Sequence, residues 1–208
     1  MTTGDARGAE RFILEWPREA GVLRIFEPTP AELRDAAPAL AAFYNQPDNR
    51  RLLANTIELV ADDVVDFYRE TEAAGGRSML LWWQGVLMGD ADLRRVDLEQ
   101  HTAEFAILIG DRGSQGQGFG TRFAAMAHAF AFAALGLERL YVAIVADNAG
   151  SRRLFEKLGY EPDDGPAARA CADEPTDVTM SCTRERFDEL WGTPLLGMRM
   201  GRRPATGE

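Results

Sequence analysis

A glycine-rich run constrains this chain more than any other feature: Gly110-Asp-Arg-Gly113-Ser-Gln115-Gly116-Gln117-Gly118-Phe119-Gly120-Thr121. Before it, Thr102–Ile109 has the length and apolar character of a strand, and after it an Ala- and Phe-rich helix runs to about Leu135. Glycine alone adopts cheaply the backbone conformations that turn successive N–H groups outward. The helix opening near Gly118 adds unpaired N–H groups and the positive end of its dipole. A strand, a glycine turn and a helix N-terminus together predict a cradle for an anion such as pyrophosphate. Arg112 and Arg122 flank it and could neutralise charge. The alternative is a flexible turn that binds nothing.

The rest of the chain sets that loop in a mixed α/β order. Val22–Phe26 reads as a strand, and Thr29-Pro30-Ala31-Glu32 as a capping box opening a helix to about Ala41, with Pro38 as a kink or break. Asn55-Thr56-Ile57-Glu58 predicts a second helix start. That helix would end at Gly75-Gly76, with Leu59, Val60, Val64 and Phe67 as its apolar stripe. Ser78–Trp83 and Val86–Leu93 form a hairpin about Gln84-Gly85. Leu140–Ala146 reads as a strand buried on both faces, Asn148 as the cap of a helix ending at Gly159, and Val178–Thr183 as the last strand. The expected domain is 21–183, preceded by a flexible arm over 1–20 and followed by an extension over 184–208 whose tail is disordered. The fold class is α/β, a mostly antiparallel mixed sheet flanked by helices.

Composition narrows the partners. The chain has 208 residues, with 33 acidic and 23 basic side chains and a net charge of −10. That balance excludes nucleic-acid binding, which needs a basic footprint. It suits a cationic partner or simple solubility. Cys171 and Cys182 match neither a disulfide framework nor a metal site, and His101 and His128 lack partner spacing, so no metal is expected. Phe123–Leu135 is shorter than the ~18 residues a membrane span requires, and no secretory signal is present. A cytoplasmic protein with no membrane partner is expected. The single lysine, Lys157, beside many arginines points to a GC-rich genome.

The loop fails two nucleotide fingerprints. After Gly116 and Gly118 a dinucleotide motif needs glycine where Thr121 stands, and a P-loop needs lysine where Phe119 stands. Gln115-x-x-Gly118-x-Gly120 instead resembles the Q/R-x-x-G-x-G/A loop of the GNAT superfamily of acyl-CoA-dependent N-acyltransferases. Downstream, Asn148-Ala-Gly-Ser151-Arg-Arg-Leu-Phe155-Glu-Lys-Leu-Gly159-Tyr160 resembles that family's second signature. The specific resemblance covers about residues 102–162, and in look is nearest the bacterial group that acetylates ribosomal proteins and polyamines.

The resemblance implies a GNAT-type fold and acetyl-CoA as acyl donor. The donor would enter between the strands ending at Ile109 and Ala146, its pantetheine arm bonding the backbone of Leu108 and Ile109. Its pyrophosphate would lie on the N–H groups of Gln115, Gly116, Gln117, Gly118, Phe119, Gly120 and Thr121. Asn148 would bond the arm, Ser151 could add a contact, and Phe155 would pack near the thioester. Asn148 and Ser151 could equally cap a helix, and Phe155 could be core.

The implied reaction is direct acetyl transfer to an amine, either a small cationic amine or a peptide N-terminus. Such an amine is mostly protonated at neutral pH, so a base is needed. Glu104, eleven residues before Gln115, is the candidate, because several relatives place a catalytic glutamate on this strand. Alternation sets Glu104, Ala106 and Leu108 on one sheet face and Phe105, Ile107 and Ile109 on the other. An ordinary ion-paired glutamate is the competing reading. Phe155 replaces the tyrosine that serves many relatives as general acid, which leaves Tyr160, water, unassisted thiolate departure or a silent acyl-CoA binder. A regulator acetylating lysines on a partner protein is a further alternative. Asp90 and Asp92, and the cluster Asp62, Asp63 and Asp66, could select a cationic acceptor. Family members often pair, and the tail with Trp191, Leu195 and Leu196 could serve a homodimer or could equally pack on its own domain.

Overall fold

The computed structural model describes residues 10–53, 57–110, 113 and 116–205. Its first half is a meander carrying helices on one side. Strands β1 (Glu10–Arg18) and β2 (Gly21–Phe26) are followed by α1 (Pro30–Asn45), α2 (Pro47–Leu52) and α3 (Ala61–Ala73). Then come β3 (Arg77–Trp83), β4 (Val86–Asp97) and β5 (Thr102–Ile109). The second half alternates: α4 (Phe119–Ala133), β6 (Arg139–Ile144), α5 (Ala149–Leu158), β7 (Glu161–Pro162), α6 (Pro166–Arg169), β8 (Val178–Thr183), α7 (Arg184–Trp191) and β9 (Arg199–Pro204). All strands join one sheet in the order β7-β8-β6-β5-β4-β3-β2-β1-β9. Its pairings are antiparallel apart from β5 with β6, which is parallel.

The two sheet faces bury different residues because side chains alternate along each strand. On one face Leu14, Trp16, Leu23, Ile25, Met79, Leu81 and Phe105 pack against α4. That helix buries Phe123, Met126 and Phe130 and is apolar nearly all round, as a helix enclosed on several sides must be. On the other face Phe26, Leu80 and Trp82 meet α1 and α3. Trp82 and Trp83 thus serve opposite clusters.

Several local expectations need correction. Residues 10–18 form a strand and not a loose arm: Leu14 and Trp16 alternate into the core, and the N–H of Phe12 donates to Glu27 Oε2 at 2.8 Å. The tail does not end the order at Gly201. It returns as β9, pairing Glu10↔Pro204 through Glu15↔Arg199, with Arg202 on Glu10 and Arg203 on Glu32. This polar strand has no hydrophobic pattern, so only its partner reveals it. Helix α1 runs on through Pro38, while its capping box forms between Thr29 and Glu32. Asn55 and Thr56 lie outside the described residues, and α3 begins at Ala61, where Asp63 Oδ2 accepts from the N–H of Val60. Leu59 and Val60 therefore precede the helix, and the buried stripe is Val64, Tyr68 and Thr71. In β6 only Leu140, Val142 and Ile144 are buried; Tyr141 and Ala143 are half-buried beside a cleft.

Candidate active site

The cleft begins where the one parallel pairing stops. β5 and β6 pair at Thr102↔Arg139, Ala103↔Leu140 and Glu104↔Tyr141. Beyond that point β5 stays bonded to β4 as far as Ile109, and β6 to β8 as far as Ile144. The two strands are carried apart by their outer neighbours. Ala106, Ile107 and Leu108 on one side, and Ala143, Ile144 and Val145 on the other, then flank a cavity of ≈ 440 Å³. Asn148, Ser151 and Phe155 reach it from α5.

The glycine loop stands at the open end of this fork. Gly118 takes a left-handed φ of 80° as the N-cap of α4, and no side chain caps the helix. The first-turn N–H groups of Phe119, Gly120 and Thr121 therefore point outward unclaimed by a cap. Gln117 Nε2 donates to Gly113 O at 2.6 Å, and Arg122 Nη1 to Gln117 O at 3.3 Å. A Cβ on Gly120 would approach Leu154 Cδ1 to 2.9 Å, so the helix start packs tightly on α5. The phenyl ring of Phe119 turns into the core against Trp83 and Phe123. Only its backbone belongs to the loop's face. Gln115 and Arg112 lie outside the described residues.

On α5, Asn148 Oδ1 accepts from the N–H of Ser151 at 3.0 Å, so Asn148 is a helix cap and a cavity-lining residue at once. Phe155 is buried, with its ring 6.2 Å from Phe105 and 5.1 Å from Tyr160. Tyr160 is core. Its hydroxyl lies 2.8 Å from His128 Nε2, and His128 Nδ1 lies 2.7 Å from the carbonyl of Ala124. A carbonyl only accepts, so Nδ1 carries the proton and Nε2 accepts from Tyr160. Burial pushes the His128 pKa down to about 3 and the Tyr160 phenol far above its usual range.

The floor of the cavity, on the α1 and α3 side of the sheet, carries three buried carboxylates: Asp90 and Asp92 from β4 and Glu104 from β5. Glu104 Oε1 accepts from Arg94 Nη2 at 2.8 Å, and its Oε2 is 3.5 Å from Arg95 Nε. Burial raises its pKa against the pull of both guanidiniums. Asp90 accepts from Tyr44 at 3.0 and 2.9 Å and from Tyr68 at 3.1 Å. Burial and the neighbouring Asp92 raise Asp90, and burial raises Asp92 despite Arg94. Asp92 Oδ2 is 3.8 Å from Arg94 Nε, and Asp92 Oδ1 has no hydrogen-bond partner. Asp63, Asp173 and Asp177 line the same cavity, while Leu52, Leu53 and Leu59 form an apolar wall.

Of the expected residues, the fork brings together Glu104, Leu108, Asn148, Ser151 and Phe155; Ile109 ends the strand beside them. Asp62 and Asp66 lie exposed on α3, away from the cavity lining. Tyr44, Tyr68, Arg94 and Arg95 escaped the sequence reading. The spacing Asp90, Asp92, Arg94 places all three on one face of β4 and could have exposed Arg94, but nothing local pairs Tyr44 or Tyr68 with Asp90. Both cysteines are buried free thiols, and Cys171 lies on the cavity wall. Among the described residues no three His, Cys, Asp or Glu side chains gather as metal ligands. No helix among them is long and apolar enough to cross a membrane.

Solved structures share this architecture. Spermidine N-acetyltransferase from Vibrio cholerae, in complex with CoA and spermine, is 20% identical, with a TM-score of 0.65 over 79% of this chain and 97% of that one. Mycobacterium smegmatis RimJ, in complex with CoA-disulfide, is 15% identical, with a TM-score of 0.69 over 88% and 94%. The aminoglycoside acetyltransferase AAC(6')-Ib, in complex with coenzyme A, is 15% identical, with a TM-score of 0.66 over 80% and 98%. No curated protein sequence matches the chain. The family model for the acetyltransferase (GNAT) domain matches residues 24–161, from β2 through the fork to the strand after α5, and with that match the chain belongs to the GNAT family of N-acetyltransferases.

Proposed function

We propose that the protein transfers the acetyl group of acetyl-CoA to a small cationic amine, by direct attack of the free amine on the thioester. One observation carries this reading: the fork between β5 and β6 opens onto a floor of three buried carboxylates.

The residues present fit the donor. Ala106–Leu108 offers a strand edge that β6 has left, on which an extended amide-bearing arm can bond as an added strand, reaching Leu108 and Ile109. The uncapped N-terminus of α4, with Gly116 to Thr121, fits a pyrophosphate. Asn148 spends Oδ1 on its helix and keeps its amide N–H₂ for the arm, with Ser151 beside it. Phe155 and Phe105 give the reacting end an apolar wall that keeps water away. When bound, acetyl-CoA supplies an activated acyl carbon and a thiolate leaving group.

The acceptor side is the carboxylate floor. Asp90, Asp92 and Glu104 are buried where a low dielectric strengthens attraction for an ammonium. The apolar wall of Leu52, Leu53 and Leu59 suits the carbon chain of such an amine. Glu104, the base expected from the strand position, belongs to this set. Phe155 has no proton to give, and the Tyr160 hydroxyl is committed to His128. A thiolate whose conjugate acid has a pKa of ~8.5 leaves without a side-chain acid and takes its proton from water.

Acetyl-CoA should release thiol faster than spontaneous hydrolysis when offered a panel of mono- and diamines. A panel that never exceeds hydrolysis, while CoA still binds, would end the amine reading.

A further inference from the structure

Three carboxylates face the acceptor, and their surroundings differ in a way that separates their roles. Glu104 lies at the last paired position of the fork, opposite Tyr141, and both its oxygens are engaged by Arg94 and Arg95. Asp90 lies farther along the cleft, opposite Leu108, with both oxygens taken by the hydroxyls of Tyr44 and Tyr68. Asp92 stands between them, opposite Ala106, just past the point where β5 and β6 part. Its side chain is only 7% exposed, it lines the cavity, and Oδ1 has no hydrogen-bond partner. Its cross-strand neighbour Ser78 turns a buried hydroxyl toward Asp92, a contact that lowers the Asp92 pKa in part but falls short of a close hydrogen bond. A buried carboxylate held by one weak hydroxyl contact and one shared guanidinium is costly unless something supplies a closer donor.

We propose that Asp92 is the carboxylate that holds the acceptor ammonium and takes its proton, while Glu104 is a positioning residue that anchors Arg94 and Arg95. This rests on the amine-acceptor reading above. In the step, the nitrogen lone pair forms the N–C bond to the acyl carbon and the C–S bond breaks with its electron pair on sulfur. The proton lost by nitrogen passes to the Asp92 carboxylate, directly or through one water, and from there to solvent. The groups facing Asp92 support the assignment. Among the described residues Arg94 is the cation paired with it, at 3.8 Å on its own strand, and is shared with Glu104. Asp90 and Glu104 flank it, Tyr44 on α1 and Tyr68 on α3 are turned to Asp90, and Asp63, Asp173 and Asp177 line the same cavity. Burial and, less strongly, Glu104 hold Asp92 above the ordinary carboxylate range against the pull of Arg94 and Ser78, nearer to the amine whose proton it takes.

Two measurements test this on the full chain. The first needs no turnover. In ¹³C-carboxyl NMR of the protein with CoA, the Asp92 signal, assigned by its loss in Asp92→Asn, should titrate above the usual aspartate range. It should also shift on addition of 1,4-diaminobutane. An ordinary titration that the amine leaves unmoved overturns the proposal. The second is the pH profile of kcat/KM with the best amine of the panel. Asp92→Asn should lose at least about 100-fold and lose the acidic limb, with CoA affinity unchanged. Glu104→Gln should keep that limb. A limb that survives in Asp92→Asn, or vanishes only in Glu104→Gln, returns the base to Glu104. If Asp92→Asn misfolds, Asp92→Glu should restore activity with a displaced limb, and an undisplaced limb counts against Asp92. A panel with no turnover at all sinks the amine reading, and the NMR titration then still decides Asp92.

Discussion

Gly118 and His128 show what single residues do at the opening of α4 and in the core behind it. Gly118 holds φ at 80°, a conformation that costs a side-chain-bearing residue about 1–3 kcal/mol, although a Cβ there would meet nothing closer than Arg122 at 3.8 Å. Gly118→Asp would add a negative charge at the helix end proposed to hold pyrophosphate. CoA affinity measured by calorimetry should fall at least about tenfold with the fold retained; normal affinity would refute the loop's role. His128 is fully buried and neutral in the folded protein down to about pH 3, whereas an unfolded histidine takes a proton near pH 6.5. Its folded pKa is depressed, so its contribution is complete above pH 6.5 and is lost as the pH falls. Between pH 7 and 5 the protein should lose about 2 kcal/mol more stability in urea than its His128→Gln variant. Equal slopes would mean that the ring is not held neutral. Tyr160→Phe, which leaves Nε2 unpaired, should cost about 1–3 kcal/mol.

At the scale of elements, the site depends on two strands kept apart by their outer partners. Gly89 lies opposite Ile109 with φ at 153°, and a Cβ there would stand 1.9 Å from the carbonyl oxygen of Leu108. The clash is with backbone and cannot be relieved by a rotamer change. Gly89→Ala should therefore cost about 3 kcal/mol or more and displace β5 at the cleft, lowering both Tm and CoA affinity. An unaltered Tm would show that β4 and β5 can separate there freely. The capped helices of both halves are legible because local signals agree: Thr29 and Glu32 cap α1, Asn148 caps α5, and Gly159 ends it. The start of α3 was misplaced because Asn55 and Thr56 offer a box-like motif. The N–H of Val60, bonded to Asp63, supplies the actual start, and Asn45 clamps Leu59 ahead of it by two hydrogen bonds. Strand β9 was invisible because its residues are polar and its stability comes from β1 and from ion pairs of Arg202 and Arg203.

For the whole molecule the −10 charge is unevenly placed, with six acidic side chains lining one cavity. On the proposed reading an anionic donor would be met by backbone N–H groups and a helix end, whereas Asp63, Asp90, Asp92, Glu104, Asp173 and Asp177 line the cavity proposed for the acceptor. Capture of a cationic amine from solution should then weaken as salt screens that field. Its KM should rise about three- to tenfold between about 0.05 and 0.5 M salt, with kcat changing less. A KM indifferent to salt would remove the acid cavity from recognition. The sequence by itself determined the glycine turn that opens α4 at Gly118, the alternating faces of β5 and the capped helix after β6, since each is written in residues close together, where conformational preference and capping act. Only the tertiary structure decided that β5 and β6 part after Glu104 and Tyr141, and that Tyr44 and Tyr68 claim Asp90. It alone decided also that Arg94 and Arg95 claim Glu104 while Asp92 Oδ1 is left without a close donor. The physical reason is that a hydrogen bond or an ion pair acts over a few ångströms of space, and these partners are brought that close by the sheet and its covering helices, not by their order in the chain.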